Sequence, residues 1–204
     1  MEQILHKVFK EKVSSKMSYY RQIDINRFRY IATLFPIGIS TILDIGARDN
    51  QFKGIVEMDG YNVTSLDIDP QETLMVKGTI TSLPFRDNTF DITTALETLE
   101  HLSKKELALA TTEMSRVSRK YMLVSVPYNE VPLGKGHRQY FNETKFKRLF
   151  SNNTYIDYFG TRPAYQGIRK QLCLIDKRLV YLFNKIFGIK KSIVSNWIIG
   201  VFIK

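Results

Sequence analysis

The stretch Thr41-Ile42-Leu43-Asp44-Ile45-Gly46 constrains this chain most, because a short apolar run breaks there at a glycine and opens into the polar loop Ala47-Arg48-Asp49-Asn50. A strand covered on both faces reads as an unbroken apolar run, and its carboxyl end needs glycine where the backbone turns sharply or approaches a ligand. Gly46 stands where that need arises. About 20 residues on, Asn62 to Asp67 reads as a second strand ending in an acid, the position from which a carboxylate can accept hydrogen bonds from both hydroxyls of a ribose. Strand, glycine turn, helix, strand and acid make half of a nucleotide- or nucleoside-binding α/β sheet.

A nicotinamide or flavin site on this half-fold expects G-x-G-x-x-G. After Gly46 stand Ala47, Arg48, Asp49, Asn50 and Gln51, so the fingerprint is absent and a nucleotide-dependent oxidoreductase is disfavoured. Residues 51–58 are predicted to form a helix whose N-terminus offers free N–H groups and a positive dipole end to an anionic group. Further strands are predicted near 74–76, leading to Gly78-Thr79-Ile80, and over 90–96, 121–127, 154–159 and 195–203. Helices are predicted over 2–13, over 21–35 before Pro36 and Gly38, from the capping-box pattern Ser103-Lys104-Lys105-Glu106 through Val117, and over 141–150.

The densest chemistry follows the fourth strand. Glu97-Thr98-Leu99-Glu100-His101-Leu102 puts two carboxylates and an imidazole in one loop at the carboxyl edge of the sheet, where open α/β sheets bind ligands. The fifth strand opens on the same edge, and its exit loop ends at His137, so Glu97, Glu100, His101 and His137 can converge. Two carboxylates and two imidazoles suit Mn, Fe, Co or Zn better than Mg. The plainer alternative is that His101 acts as a base or lines a pocket without any metal.

With Ile42-Leu43-Asp44-Ile45-Gly46, Ser65-Leu66-Asp67-Ile68-Asp69-Pro70, the run from Leu83 to Asp91 and Leu99-Glu100-His101-Leu102 in that order, the chain resembles the class I S-adenosylmethionine-dependent methyltransferases over roughly residues 40–160. It is similar in particular to the type 11 methyltransferases and the ubiquinone-biosynthesis O-methyltransferases. Glu-x-x-Glu-His, the loop histidine and Phe146 also resemble the small-RNA 2′-O-methyltransferases, in which the corresponding residues hold a divalent metal.

The resemblance implies a Rossmann-like, seven-stranded, mostly parallel sheet with helices on both faces and the last strand antiparallel beside the sixth. It implies S-adenosylmethionine as cofactor, held by Asp44, Gly46, Ala47, Arg48, Asn50, Asp67, Ile68, Thr79, Ile80 and Leu96. His101, Glu97, Glu100 and His137 would serve the acceptor, and the same four would hold a metal where one binds. Residues 1–40 would form a helical lid, with Tyr19, Tyr20 and Arg21 near the pocket. The chain departs from the family pattern at Arg48 and Asn50, where further glycines are usual, and at Thr79, where an Asp commonly reads the adenine amino group.

At 204 residues and 44% hydrophobic content, one core and one domain over 1–204 are expected, with a cofactor-binding core over 41–160 and an insertion over 160–193. A lone cysteine, the absence of an unbroken apolar segment near the N-terminus and the lack of any run approaching about 20 apolar residues point to the cytoplasm. The net charge of +10 is uneven: residues 161–204 carry nine Lys/Arg against one acid, whereas residues 44–160 carry fourteen against sixteen.

Ile168, Leu172, Ile175, Leu179, Leu182, Phe183 and Ile186 recur at helical spacing among those cations, a basic amphipathic pattern. It would cover the substrate pocket, touch an anionic membrane through residues 163–193, make a dimer seam or grip phosphates. The expected acceptor is an oxygen of a small molecule, glycan or lipid precursor. The alternatives are RNA 2′-O-methylation with a divalent metal, and a non-enzymatic binding protein on a methyltransferase fold. The chain has no separate RNA-binding module to favour RNA.

Overall fold

The computed structural model describes residues 15–150, 152–159 and 197–204. The helix expected over 2–13 and the insertion over 160–193 lie outside them, as do the side chains of Tyr19, Tyr20 and Arg21.

Seven strands form one sheet: β1 (Thr41–Ile45), β2 (Asn62–Asp67), β3 (Val76–Lys77), β4 (Phe90–Leu96), β5 (Ser118–Pro127), β6 (Asn152–Phe159) and β7 (Trp197–Ile203). Their order is β3-β2-β1-β4-β5-β7-β6. β1 pairs in parallel with β2 and β4, β2 with β3, and β4 with β5. β7 runs antiparallel to both β5 and β6, which it separates. This is the mostly parallel sheet with an antiparallel last strand that the sequence implied. The chain runs outward from β1 through β2 to β3 and then returns to β4 on the other side of β1. That reversal is the topological switch point, and the crevice above it opens between the ends of β1 and β4.

Helices cover both faces. On one face α1 (Ser15–Thr33) and α2 (Gln51–Glu57) pack Tyr30, Ile31, Phe52 and Val56 against Ile42, Ile92, Leu123 and Ile199. On the other, α3 (Lys104–Val117) and the short α4 (Glu143–Lys147) pack Ala110, Met114, Val117 and Phe146 against Leu43, Ala95, Val124 and Phe202. β4 is buried almost end to end, as a strand covered on both sides must be.

The predicted cap of α3 forms in full: Glu106 N–H donates to Ser103 Oγ at 3.3 Å, and Ser103 N–H to Glu106 Oε2 at 2.7 Å. The helix predicted over 141–150 is shorter. Asn142 starts it late by accepting from Lys145 N–H at 2.8 Å, and Phe141 is drawn into the core instead of joining the helix. Likewise α1 ends at Thr33, two residues before the predicted end, with Leu34 N–H closing a tighter turn on Ile31 O ahead of Pro36. Among the described residues no helix is long and apolar enough to cross a membrane.

Candidate active site

The loop leaving β1 is built from backbone conformation. Gly46 lies at φ +76°, and a Cβ there would run into the Thr98 side chain, so both torsion and space demand glycine. Arg48 and Asn50 lie at φ +50° and +57°. These are the two positions at which the sequence departs from the family's glycines, and the backbone keeps the left-handed conformation that glycine would favour. The cost is of the order of 1 kcal/mol for a residue with a Cβ, less for Asn.

Asp67 ends β2 beside this loop. Its Oδ2 accepts from Arg48 N–H and its Oδ1 from Asp69 N–H, both at 2.9 Å. Each oxygen keeps a second lone pair for a ligand hydroxyl. Arg48, Asp49, Asp67, Asp69 and Gln71 line a cleft of about 550 Å³, within the usual range for a small-molecule site. Three carboxylates against one guanidinium give it a negative balance. Ile68, next to Asp67, is 71% exposed and offers apolar surface to a planar base. A ribose-bearing ligand with a sulfonium charge fits these residues.

The remaining residues predicted to bind cofactor are placed differently. Asp44 is buried under the cleft, accepting from Thr94 Oγ1 at 2.8 Å, and burial above all pushes it up to about 7, with the Asp67 charge adding to the rise. Thr79 spends its hydroxyl locally, against Thr81 Oγ1 at 3.0 Å. Ile80 and Leu96 are core residues. Ala47 N–H donates to Leu66 O at 3.2 Å, continuing the β1–β2 ladder. At the start of α2, Asp49 already takes Gln51 N–H at 3.4 Å, so a carboxylate occupies that end of the helix.

Across the crevice, the loop leaving β4 is built from side chains. Glu97 lies at φ +54°, a position held by partners from three other elements. Its carboxylate receives Ser125 Oγ–H at 3.0 Å and Trp197 Nε1–H at 2.6 Å, and pairs with Arg27 Nη1 at 3.4 Å. Arg27 is 5% exposed, pairs also with Asp24 at 3.1 Å and lies over the Trp197 ring at 4.7 Å. Burial raises Glu97 above the usual carboxylate range, with Arg27 opposing.

Glu100 and His101 follow in a 3₁₀ turn over Leu99–His101. Glu100 is 1% exposed, its Oε2 has no hydrogen-bond partner among the described residues, and burial together with the Glu97 charge pushes it up to about 9. His101 Nδ1 lies 3.2 Å from Gly136 O, and His137 Nδ1 lies 2.5 Å from Glu130 Oε2. A carbonyl can only accept and a carboxylate accepts, so the hydrogen-bond network makes Nδ1 the donor on both rings, and in the neutral imidazoles Nε2 then carries the lone pair. The rings meet edge to face at 4.8 Å between centroids.

One ligating atom each from Glu100, His101 and His137 can be chosen so that all three lie within 4.8 Å of one another. A tetrahedral cation would hold such atoms at about 3.4 Å, so a modest contraction closes the set. Three of the four residues expected to converge are therefore brought together. Glu97 is not among them, because its carboxylate is committed to Arg27, Ser125 and Trp197.

Arg27, Glu130 and Trp197 were not among the residues singled out from the sequence. Arg27 had a signal: it stands with Ile23, Tyr30, Ile31 and Leu34 on one helical stripe, a charge where the core face should be apolar. Glu130 lies in the loop that delivers His137, and Trp197 is the only tryptophan of the chain. Neither position announces its partner.

Residues 43–121, from β1 into β5 and including Gly46, Asp67 and the Glu97–His101 loop, match the family model described as a methyltransferase domain. No curated protein matches the chain in sequence. Among solved structures the chain is similar to a SAM-dependent methyltransferase from Archaeoglobus fulgidus, with a TM-score of 0.65 and 16% identity over 90% of this chain and 94% of that one. It is similar to a SAM-dependent methyltransferase from Methanosarcina mazei, with a TM-score of 0.54 and 15% identity over 84% and 98% of the two chains. It is also similar to the [4+2]-cyclase SpnF, with a TM-score of 0.59 and 15% identity over 88% and 80%. At such identities the likeness establishes the fold, and one fold can carry different reactions. The core of the sheet, residues 43–121, thus matches the methyltransferase domain model, and the chain as a whole has the fold of the S-adenosylmethionine-dependent methyltransferases.

Proposed function

We propose that this chain transfers a methyl group from S-adenosylmethionine to an oxygen of a small molecule, glycan or lipid precursor, with the acceptor hydroxyl placed against His137. The observation that carries this is the His137–Glu130 pair: an imidazole whose Nδ1–H is held by a carboxylate at 2.5 Å presents a basic Nε2 at the carboxyl edge of the sheet. When bound, the cofactor supplies a methyl carbon activated by its sulfonium sulfur. Asp67 would fix the ribose, and the Gly46–Asn50 backbone would bring the rest of the ligand over the switch point. With the cofactor supplying the methyl group, His137 Nε2 would take the proton of the acceptor hydroxyl. Glu130 stabilises the resulting imidazolium, while the fixed ring direction keeps the oxygen aligned.

A second reading is favoured by the unpartnered, buried Oε2 of Glu100. Glu100, His101 and His137 would hold a divalent metal, with Glu130 orienting His137 from behind. Mn, Fe, Co or Zn suits two imidazoles and a carboxylate better than Mg. A metal there would supply Lewis acidity to the acceptor oxygen.

Isothermal titration with S-adenosylhomocysteine, with and without Mn²⁺, tests both. Binding without metal that is lost in Asp67→Ala supports the cofactor site, and an acceptor screen with hydroxyl compounds then follows. Mn²⁺ binding that disappears in Glu100→Gln and His101→Ala favours the second reading. No cofactor binding in either condition refutes methyl transfer.

A further inference from the structure

We infer that the loop joining β5 to α4, together with the first turn of α3, forms a contact surface for an anionic lipid membrane. The loop tip carries Val131, 79% exposed, and Leu133, 43% exposed, on either side of Pro132. Aliphatic side chains on a loop tip ordinarily fold back to shed water-exposed area. Here the loop is pinned at its base, because Asn129 N–H donates to Phe141 O at 2.9 Å and Tyr140 O–H to Asn129 Oδ1 at 2.9 Å. Arg138 and Gln139 N–H both donate to Glu100 O, at 2.7 and 3.0 Å. The two aliphatic groups are held outward by the same bonds that hold His137 in place.

Charge supplies the second half. Arg138 reaches Glu106 at 3.3 Å, which sets the loop beside the first turn of α3, where Lys104 and Lys105 are exposed. Lys135 is exposed next to the tip. None of these three lysines has an ion pair among the described residues, whereas the nearby acids are engaged, Glu106 by Ser103 and Arg138 and Glu130 by His137. Two exposed aliphatic groups on a loop that carries Lys135 and is tied to the first turn of α3, with its Lys104 and Lys105, match an interface in which apolar side chains enter the acyl boundary and lysines meet anionic headgroups. A nucleic-acid surface would use the cations and leave Val131 and Leu133 without a role. Membrane contact stands apart from the methyl-transfer reading, since it requires neither cofactor nor acceptor. It would set His101 and His137 near headgroup level.

The test is vesicle co-sedimentation of the full chain, with vesicles of phosphatidylcholine alone or with a minor fraction of phosphatidylglycerol. Binding to the anionic vesicles should exceed binding to the neutral ones by about tenfold or more, and should fall by about tenfold in a Val131→Asp/Leu133→Asp double variant. Lys104→Glu/Lys105→Glu should weaken it by a smaller factor. A separate Leu133→Trp variant, which keeps the tip apolar, should show a blue-shifted emission quenched by brominated lipid. Equal binding to neutral and anionic vesicles, unchanged binding by the double aspartate variant, or a Leu133→Trp emission that brominated lipid leaves unquenched would each overturn the inference. So would sensitivity to the lysines with none to Val131 and Leu133, which would mark a general polyanion site.

Discussion

The loops leaving β1 and β4 face each other across the switch point, yet they hold their shapes by different means. The first runs through Gly46, Arg48 and Asn50 at positive φ and uses short-range bonds, such as Asp67 to Arg48 N–H across to the adjacent strand. The second turns at Glu97, also at positive φ, but is held by Arg27 from α1, Ser125 from β5 and Trp197 from β7. On the function proposed above, the cofactor side is written in the backbone of neighbouring strands, and the acceptor side in side chains gathered from α1, β5 and β7.

If that contrast holds, removing one gathered side chain should cost more than editing the backbone loop. Arg27→Met leaves Glu97 without its cation in a buried setting and should destabilise folding by about 3–5 kcal/mol, measured by urea denaturation. A loss below about 1 kcal/mol would mean the pair is solvated and the contrast is false.

Asp44 tests the floor between the two loops. Its carboxyl is pushed from 3.8 up to about 7, so the folded chain binds that proton more tightly than the unfolded chain does. Stability from this group is therefore present at acid pH and lost as pH rises through about 7. Asp44→Asn should be the more stable protein at pH 8 and should flatten the pH dependence by on the order of 3 kcal/mol between pH 8 and 5. Identical pH slopes in the two proteins would place the titration elsewhere.

On the cofactor side, Asp67→Ala should weaken S-adenosylhomocysteine binding by roughly 30-fold or more, about 2 kcal/mol, through the lost charge-assisted hydrogen bonds. Circular dichroism should be unchanged, since Asp67 caps only the exposed N–H groups of Arg48 and Asp69. Smallest of all, Arg48→Gly should stabilise the chain by about 0.5 kcal/mol, relief of left-handed strain slightly exceeding the entropy added to the unfolded chain. Cofactor affinity that also falls in this variant would show that the guanidinium, and not the loop backbone alone, touches the ligand.

The same contrast explains what was legible in the sequence. Apolar runs ending at Gly46 and Asp67 disclosed β1, β2 and the order of what lies between them, because those signals are local. So did Ser103 to Glu106, whose capping box is a four-residue event. Glu97 read as a ligand because its neighbours in sequence are Glu100 and His101, and nothing local revealed a partner 70 positions earlier or another 100 positions later. The helix expected over 141–150 was shortened by tertiary demand, Phe141 being buried under Lys145 Nζ at 4.6 Å. Leu74, placed in the third strand from its apolar character, is 83% exposed, and the strand forms only at Val76–Lys77.

The position of β7 has a consequence for how the chain reaches its fold during synthesis. Among the described residues β6 pairs with β7 alone, and β7 also completes the open side of β5 and brings Trp197 to Glu97. Residues 152–159 therefore emerge from a ribosome before the strand they pair with in the finished sheet, and nearly forty further residues must follow before it appears. Until then the parallel half of the sheet ends at an unpaired β5 edge whose residues 122–126 are apolar but for Ser125, an invitation to aggregate. A nascent chain arrested before residue 197 should accordingly be bound by chaperones, and release should track the appearance of 197–203 rather than that of the cofactor half.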